Sequence, residues 1–345
     1  MARNFSPGAV LSPAEAGRAE TNMEYRTLQY TDLEVSRLSF GTMPFGAQAD
    51  QAASTRMVDD CLEAGVNFFD TANMYNLGRA ETVLGQALGA RRAQVVLASK
   101  VRYRMGEGAD DAGLARAAIR KALEDSLKRL GTDFLDLYYL HWPDYDTPIE
   151  ETLEAMEEAV RSGKVRYPAI SNYAAWQVAE IFGIAERHGY HPPHVSQPMY
   201  NLLARGIEDE YLPFARRFGV SAVVYNPLAG GLLTGKHSRE HGPIAGTRFD
   251  SNKLYMGRYW HDDYFAAVEE LRTIAADAGK TLVELALQWV LGQQQVDSVI
   301  LGASRPEQLA ENLKASENGR LDEATRARCD EVWKRLRGIT PKYNR

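Results

Sequence analysis

The chain of 345 residues reads as a single (β/α)8 TIM barrel of the α/β class, and three observations carry that reading. Short apolar runs alternate with amphipathic helical stretches from about residue 37 onward. The runs are mostly continuous rather than alternating, as in strands covered on both faces. No break in composition divides the alternation into two domains. Length alone favours two domains, but α/β barrels reach this size as one. A doubly wound sheet is the competing arrangement, yet no GxGxxG follows the first strand.

In order along the chain, residues 1–22 hold Pro7, Gly8, Pro13 and Gly17 and are expected to form a flexible arm before a barrel domain at 23–345. The arm lacks the apolar core of a signal peptide. Residues 24–36 begin with alternation and contain a polar turn, which predicts a hairpin closing the barrel bottom. Strands are expected at 38–40, 66–70, 95–99, 134–140, 165–170, 195–199, 221–225 and 298–301. Between them, helices are expected at 51–64, 80–88, 152–162, 174–188, 208–218 and 281–292. In "LARAAIRKALEDSLKRLG" the residues Leu114, Ala118, Ala122, Leu123, Leu127 and Leu130 share one face, and Gly131 supplies a stop. A further helix opens at Pro306, and a C-terminal helix at 322–337 packs outside the barrel. Residues 229–261, after strand seven, form a long Gly-rich segment with several Lys and Arg, predicting a functional cover or a loose loop. Pro168 lies within the fifth strand and has no N–H for the ladder, so a bulge or irregular pairing is expected there.

Composition narrows the function. A formal charge of −6 gives no global basic footprint for nucleic acid. No apolar run approaches the roughly 20 residues that span a bilayer, and the expected compartment is the cytoplasm. Cys61 and Cys329 lie far apart without a CxxC or Cys/His cluster, so neither a disulfide framework nor a metal site is indicated. The sequence leaves a homo-oligomer open.

Barrel chemistry sits at the C-terminal strand ends. There the sequence offers Asp70 after "VNFF", Tyr75 in the following loop, Lys100 after "VVLAS" and His141 after "FLDLYYL". Singly, each has an ordinary alternative: a helix cap, a solvated ammonium, a structural imidazole. Together they fit proton delivery to a carbonyl oxygen. Tyr75 is the acid, and Lys100 is expected to lower its pKa. Asp70 holds Lys100, and His141 orients the substrate oxygen. Nothing in this set supplies a hydride, so a cofactor must.

The ordered motifs "LSFGTM", "FFDTANMYNLGRAE", "ASKV", "DLYYLHWPD", "SQPMYN", "YNPLAGGLLTGK" and "ILGASRPEQLAENL" resemble the aldo-keto reductase superfamily from about Arg26 to the C-terminus. The likeness is strongest to aflatoxin-aldehyde reductases and potassium-channel β subunits. It implies an NAD(P)H-dependent carbonyl reductase with a tetrad of Asp70, Tyr75, Lys100 and His141. Carried over by motif, Ser171, Asn172 and Gln197 bond the nicotinamide carboxamide, and Tyr225 stacks on its ring. Asn226, Pro227, Leu228, Ala229 and Gly230, with Lys236 and Arg248, wrap the pyrophosphate and ribose-phosphate. Gly302, Ser304, Gln308, Glu311 and Asn312 hold the adenosine end, while Thr42 and Met43 lie near the substrate side. Glycine lets backbone amides approach a phosphate closely, and cations neutralise it. A loose loop, a core tyrosine and a solvated arginine are the plain alternatives for "LAGGLLTGK", Tyr225 and Arg248.

The family's Lys and Arg for a 2′-phosphate are replaced by Gly302 and Gln308, as in the two resembled branches. In those branches the Ser/Gln pair and the loop cations do that work, so NADP(H) is expected ahead of NAD(H). Asn73 and Met74 are expected to line the approach to Tyr75, with Tyr103 and Trp142 at the mouth of a pocket for a small carbonyl substrate. Two other readings stay open: a nicotinamide-sensing binding subunit like the channel β proteins, and a cofactor-free hydrolase or isomerase using Asp70 and His141.

Overall fold

The computed structural model describes residues 21–250, 252–317, 320–339 and 341. Residues 1–20 of the expected arm lie outside them. A hairpin of β1 (Tyr25–Thr27) and β2 (Glu34–Ser36) comes first. Its Leu28, Leu33 and Val35 are buried against Phe68, Leu137, Val195 and Val223 of the barrel interior. The hairpin thus plugs the bottom of the barrel with apolar side chains, each contributing about 1.5–3 kcal/mol when fully buried.

Eight parallel strands close the barrel: β3 (Leu38–Gly41), β4 (Phe68–Asp70), β5 (Val96–Val101), β6 (Leu135–Leu140), β7 (Val165–Ser171), β8 (Val195–Gln197), β9 (Ser221–Val224) and β10 (Ser298–Gly302). The last pairs with the first, from Val299 opposite Leu38 to Gly302 opposite Gly41. Alternate residues point inward and outward. Outward ones such as Phe69, Leu97 and Tyr138 join the layer beneath the helices, whereas Phe68, Ala98 and Tyr139 fill the interior.

The helical ring comprises α1 (Gln51–Glu63), α2 (Arg79–Leu88), α3 (Arg116–Leu130), α4 (Ile149–Arg161), α5 (Ala175–His188) and α6 (Tyr211–Phe218). In α3 the predicted face is largely buried, and Gly131 ends the helix at a φ of 65°. Leu114 is buried too, but just ahead of the helix.

The expected 229–261 segment is more structured than its composition suggests. A tight 3-10 turn spans Ala229–Thr234, and α7 covers Lys253–Tyr259. Phe249, fully buried, packs edge-on to His237 and Tyr255 and against Trp260. The sequence reading assigned no element to α8 (Asp262–Asp277), although Ala267, Val268, Leu271, Ile274 and Ala275 form a buried stripe. Next come α9 (Leu282–Leu291), α10 (Pro306–Glu317) and α11 (Glu323–Arg337), the last packed on α8 outside the barrel.

The irregularity expected at Pro168 does not occur on the β6 side. Pairing with β6 runs in register from Val165 through Pro168, opposite Tyr138, to Ile170. Pairing with β8 is short, covering Ile170 and Ser171. The chain therefore carries proline without a bulge, and Ser171 stays in register opposite Gln197. No described helix is long and apolar enough to cross a membrane.

Candidate active site

Asp70 ends β4 and Lys100 lies in the adjacent β5, so parallel pairing sets their side chains together. The Lys100 ammonium forms an ion pair with Asp70 Oδ1 and donates to the Thr71 carbonyl at 2.8 Å. The other carboxylate oxygen, Oδ2, accepts from Gln197 Nε2 at 2.8 Å. Thr42 bonds the Asp70 carbonyl through its N–H and its hydroxyl, at 2.9 and 3.2 Å. All five residues are buried, and Asp70 is thereby held on three sides.

A tight turn brings Tyr75 back over this pair. Tyr75 N–H donates to Ala72 O, and Asn76 and Leu77 adopt left-handed φ values of 51° and 54°. Asn76 Nδ2 ties the turn to the carbonyls of Met43 and Phe45 at 2.9 and 2.7 Å. Gly78 follows at φ 85°, where a Cβ would stand 2.7 Å from Arg129. Arg129 bonds the buried Glu81, which also accepts from Ser99, the neighbour of Lys100. The "GRAE" of "FFDTANMYNLGRAE" is thus a buttress for the loop. It places the Tyr75 hydroxyl 3.4 Å from Lys100 Nζ.

The expected lowering of the Tyr75 pKa is overturned. Burial, and then the Asp70 charge, push the phenol well above its ordinary value. The pull of the Lys100 ammonium toward the phenolate, partly offset by Asp70, does not outweigh burial. Burial lowers the ammonium's own pKa against the opposing pull of Asp70. Tyr75 is consequently protonated throughout the neutral range, as a proton donor must be.

His141 follows β6, with its ring edge-on to Tyr75 at 6.0 Å and to Tyr103 at 5.1 Å. Burial, then Lys100 and Arg102, hold the imidazole well below 6.5. It is neutral at pH 7 and can donate one hydrogen bond to an oxygen beside Tyr75. His194 and His237 are also held low, the latter at about 4, chiefly by burial. The sign follows: below pH 6.5 the unfolded chain binds protons that the folded chain refuses, so stability is full above that value and declines as pH falls. Thermal denaturation should show Tm lower at pH 5 than at pH 7, with a smaller difference in His237→Leu. A Tm that rises on acidification would contradict this.

Beyond the tetrad a polar chain runs across the next strands. Ser171 Oγ donates to Gln197 O, Asn172 Nδ2 to Ser171 Oγ and to His141 O, and Tyr225 OH to Asn172 Oδ1, all between 2.8 and 3.0 Å. Asn172 adopts φ 63°, which folds its amide back onto the pocket.

The turn after β9 has the features of an anion cradle. Asn226, Ala229, Gly230 and Gly231 all have positive φ, and Asn226 Oδ1 accepts from Gly230 N at 2.6 Å. Pro227 and Leu228 complete the turn. A Cβ at Gly230 would stand 2.7 Å from the Tyr255 ring, so glycine lets α7 close over the turn. Arg248 donates to Tyr255 OH at 3.1 Å and acts electrostatically on Tyr75, which places it at the tetrad end. Lys236 lies at the other end beside Gly231, and its pKa is lowered by burial and by the nearby Arg305.

Lys236, Arg248 and Arg305 make no ion pair with a carboxylate among the described residues, and such a set fits a phosphate-bearing cofactor. Arg305 was missed from sequence, since an isolated Arg there reads as solvated; only its closeness to Lys236 marks it. At this end Ser304 N and Oγ bond Gln308 Oε1 at 3.0 and 2.9 Å, and Asn312 Nδ2 bonds Gly302 O at 3.4 Å. Glu311 is exposed on the same helix.

Among the expected pocket residues, Met43 and Trp142 are exposed at the rim. Met74 and Tyr103 are half-buried. Asn73 is different: it is buried and lines a small cavity with Val101, Met105 and Arg129 instead of the open approach.

A model of the aldo/keto reductase family matches residues 37–334. A probable voltage-gated potassium channel subunit beta of Oryza sativa subsp. japonica is 40% identical over 300 residues, covering 85% of this chain and 91% of that one. Aflatoxin B1 aldehyde reductase member 2 of Rattus norvegicus is 38% identical over 322 residues, covering 88% and 86%. An uncharacterized oxidoreductase of Bacillus subtilis is 38% identical over 331 residues, covering 93% and 99%. With the barrel closed and Asp70, Tyr75, Lys100 and His141 converging at its C-terminal end, this chain belongs to the aldo/keto reductase family.

Proposed function

We propose that this protein reduces an aldehyde or ketone to the corresponding alcohol with NADPH, Tyr75 giving the proton to the carbonyl oxygen. The observation that carries the reading is the protonated Tyr75 hydroxyl beside the Lys100–Asp70 pair, with a neutral imidazole facing the same space. The nicotinamide, when bound, supplies the hydride that adds at the carbonyl carbon. His141 donates a hydrogen bond to the carbonyl oxygen and fixes its direction. Tyr75 transfers its proton to that oxygen as charge develops there, and Lys100 stabilises the phenolate left behind. Asp70, gripped by Gln197, keeps Lys100 in place. Tyr75 then regains a proton from solvent.

In this reading Tyr225, Ser171 and Asn172 flank the nicotinamide. The Gly230 turn and Arg248 meet the pyrophosphate, while Lys236 and Arg305 take the 2′-phosphate of NADP(H). Equilibrium titration with NADPH and NADH, followed by tryptophan fluorescence, tests it. NADPH should bind much more tightly. Arg305→Ala should weaken NADPH by roughly tenfold, the worth of one charged hydrogen bond, with little effect on NADH. Equal losses would move Arg305 off the 2′-phosphate, and binding of neither cofactor would sink the reductase reading.

The likeness to channel β subunits favours a second reading, a cofactor-responsive subunit with slow turnover. Steady turnover of simple aldehydes above about 1 per second, ordinary for an enzyme, would count against it.

A further inference from the structure

We infer that a cavity between α6, α9 and α11, rimmed by arginines at the bottom of the barrel, binds a small multivalent anion of the polyphosphate class. This second site is independent of the reductase reading, because its rim lies at the N-terminal ends of the strands, away from the tetrad.

The cavity is open and measures about 1040 Å³, at the upper end of the range for small-molecule sites. Gln29 of the hairpin, Val220 just before β9 and Asp297 just before β10 mark its lower end. Its inner wall holds Tyr200 and Trp289, both buried, with the Arg205 guanidinium 4.8 Å from the Trp289 ring centre. Arg205 donates to Glu208 and to Asp330, each at 2.7 Å, so that guanidinium is already spent.

The rim differs. Arg26 of β1, Arg216 of α6, Arg320 ahead of α11 and Arg326 within it all line the cavity. None of the four makes an ion pair or a side-chain hydrogen bond with another described residue. Elsewhere Arg116, Arg120, Arg129 and Arg166 hold carboxylates. Behind the rim lies Arg37, whose guanidinium donates to the carbonyls of Val296 and Leu291. Burial lowers its pKa first, Arg26 next, and Arg320 adds to the effect, so both stand within electrostatic reach of it. Besides the two acids held by Arg205, Asp297 and Glu323 line the cavity. Asp297 Oδ2 accepts from Ala222 N at 2.9 Å, and burial raises its pKa against the pull of Arg37 and Arg26. Positive charge thus gathers on one concave surface of a chain whose formal charge is −6. A concave site of one sign concentrates counter-ions, and a bound anion offsets the repulsion among the guanidiniums. Because they arrive from the hairpin, α6 and α11, they suit tetrahedral phosphates, whose oxygens face several ways, better than one planar carboxylate. Gln293, Gln294 and Gln295 add neutral amides for the rest of the ligand.

The test is calorimetric titration of the full chain with tripolyphosphate, and with citrate as a carboxylate comparator, in magnesium-free buffer. The native protein should bind tripolyphosphate, and more tightly than citrate. Binding should persist in Arg305→Ala, which disables the anion cradle at the other end of the barrel. The double variant Arg26→Gln, Arg320→Gln should weaken it by roughly tenfold or more. Arg326→Gln, a change on the exposed side of α11, should weaken it by roughly threefold. No binding by the native protein overturns the inference, as does binding unaltered in both cavity variants. A loss confined to Arg305→Ala places the anion on the other cradle and overturns it too, and citrate binding as tight as tripolyphosphate overturns the phosphate assignment. If the double variant does not fold, Arg326→Gln decides alone, and native affinity in it overturns the site.

Discussion

Replacing Tyr75 by Phe is expected to lower carbonyl reduction by roughly 10²–10⁴-fold, the usual contribution of a positioned acid, while NADPH affinity stays within about twofold, far less than one hydrogen bond would change it. The substitution removes the proton donor and little else. The ring's contacts with His141 and the Lys100 ammonium do not involve the hydroxyl. Among the described residues, the hydrogen bond lost is the long one from Lys100 Nζ. That ammonium keeps Asp70 and Thr71 as partners, so the fold should lose no more than about 1 kcal/mol. The measurement is single-turnover reduction with saturating NADPH, beside the fluorescence titration. A variant that reduces aldehydes at the native rate would remove Tyr75 from the chemistry. One that also loses NADPH would show that the loop at Asn76 and Leu77 had collapsed.

Much of this architecture is legible in the sequence because it follows from local rules. Continuous apolar runs mark strands buried on both faces, and a polar residue ending such a run in a barrel faces the catalytic end. Asp70, Lys100 and His141 are found that way. Tyr75 is harder, because its return over Lys100 depends on left-handed Asn76 and Leu77, which no periodicity announces. The sequence singled it out only as a loop residue after Asp70, and the resemblance to a family gave it the same role. The direction of its pKa shift was misjudged for a physical reason. A lysine beside a tyrosine lowers the phenol's pKa only where its pull exceeds the cost of burial, and here burial and the Asp70 charge prevail. Arg305 was invisible because a lone arginine in a loop reads as solvated. What marks Arg305 is its closeness to Lys236, a three-dimensional property. Pro168 taught the reverse: a residue that breaks ladders in general sits here in unbroken register with β6.

The second large effect is expected at Asp70. In Asp70→Asn the side chain keeps its shape, and the amide can still meet Gln197, but Lys100 loses the carboxylate it pairs with among the described residues. Breaking a buried ion pair from one side costs about 3–5 kcal/mol when the remaining charge stays. Lys100 has an escape, since burial already lowers its pKa and Asp70 is the main group holding it up. Shedding the proton limits the loss of stability but leaves no ammonium to stabilise the Tyr75 phenolate. Catalysis should therefore fall by about 10²-fold or more even where the fold survives. Urea denaturation of Asp70→Asn, Lys100→Met and the double variant separates these effects. If the pair is buried and mutually dependent, the double variant should recover most of the stability lost in Asp70→Asn, because no unpaired charge remains. Additive losses would mean that water reaches Lys100 in solution, and the phenolate would then be stabilised by solvent as much as by this pair.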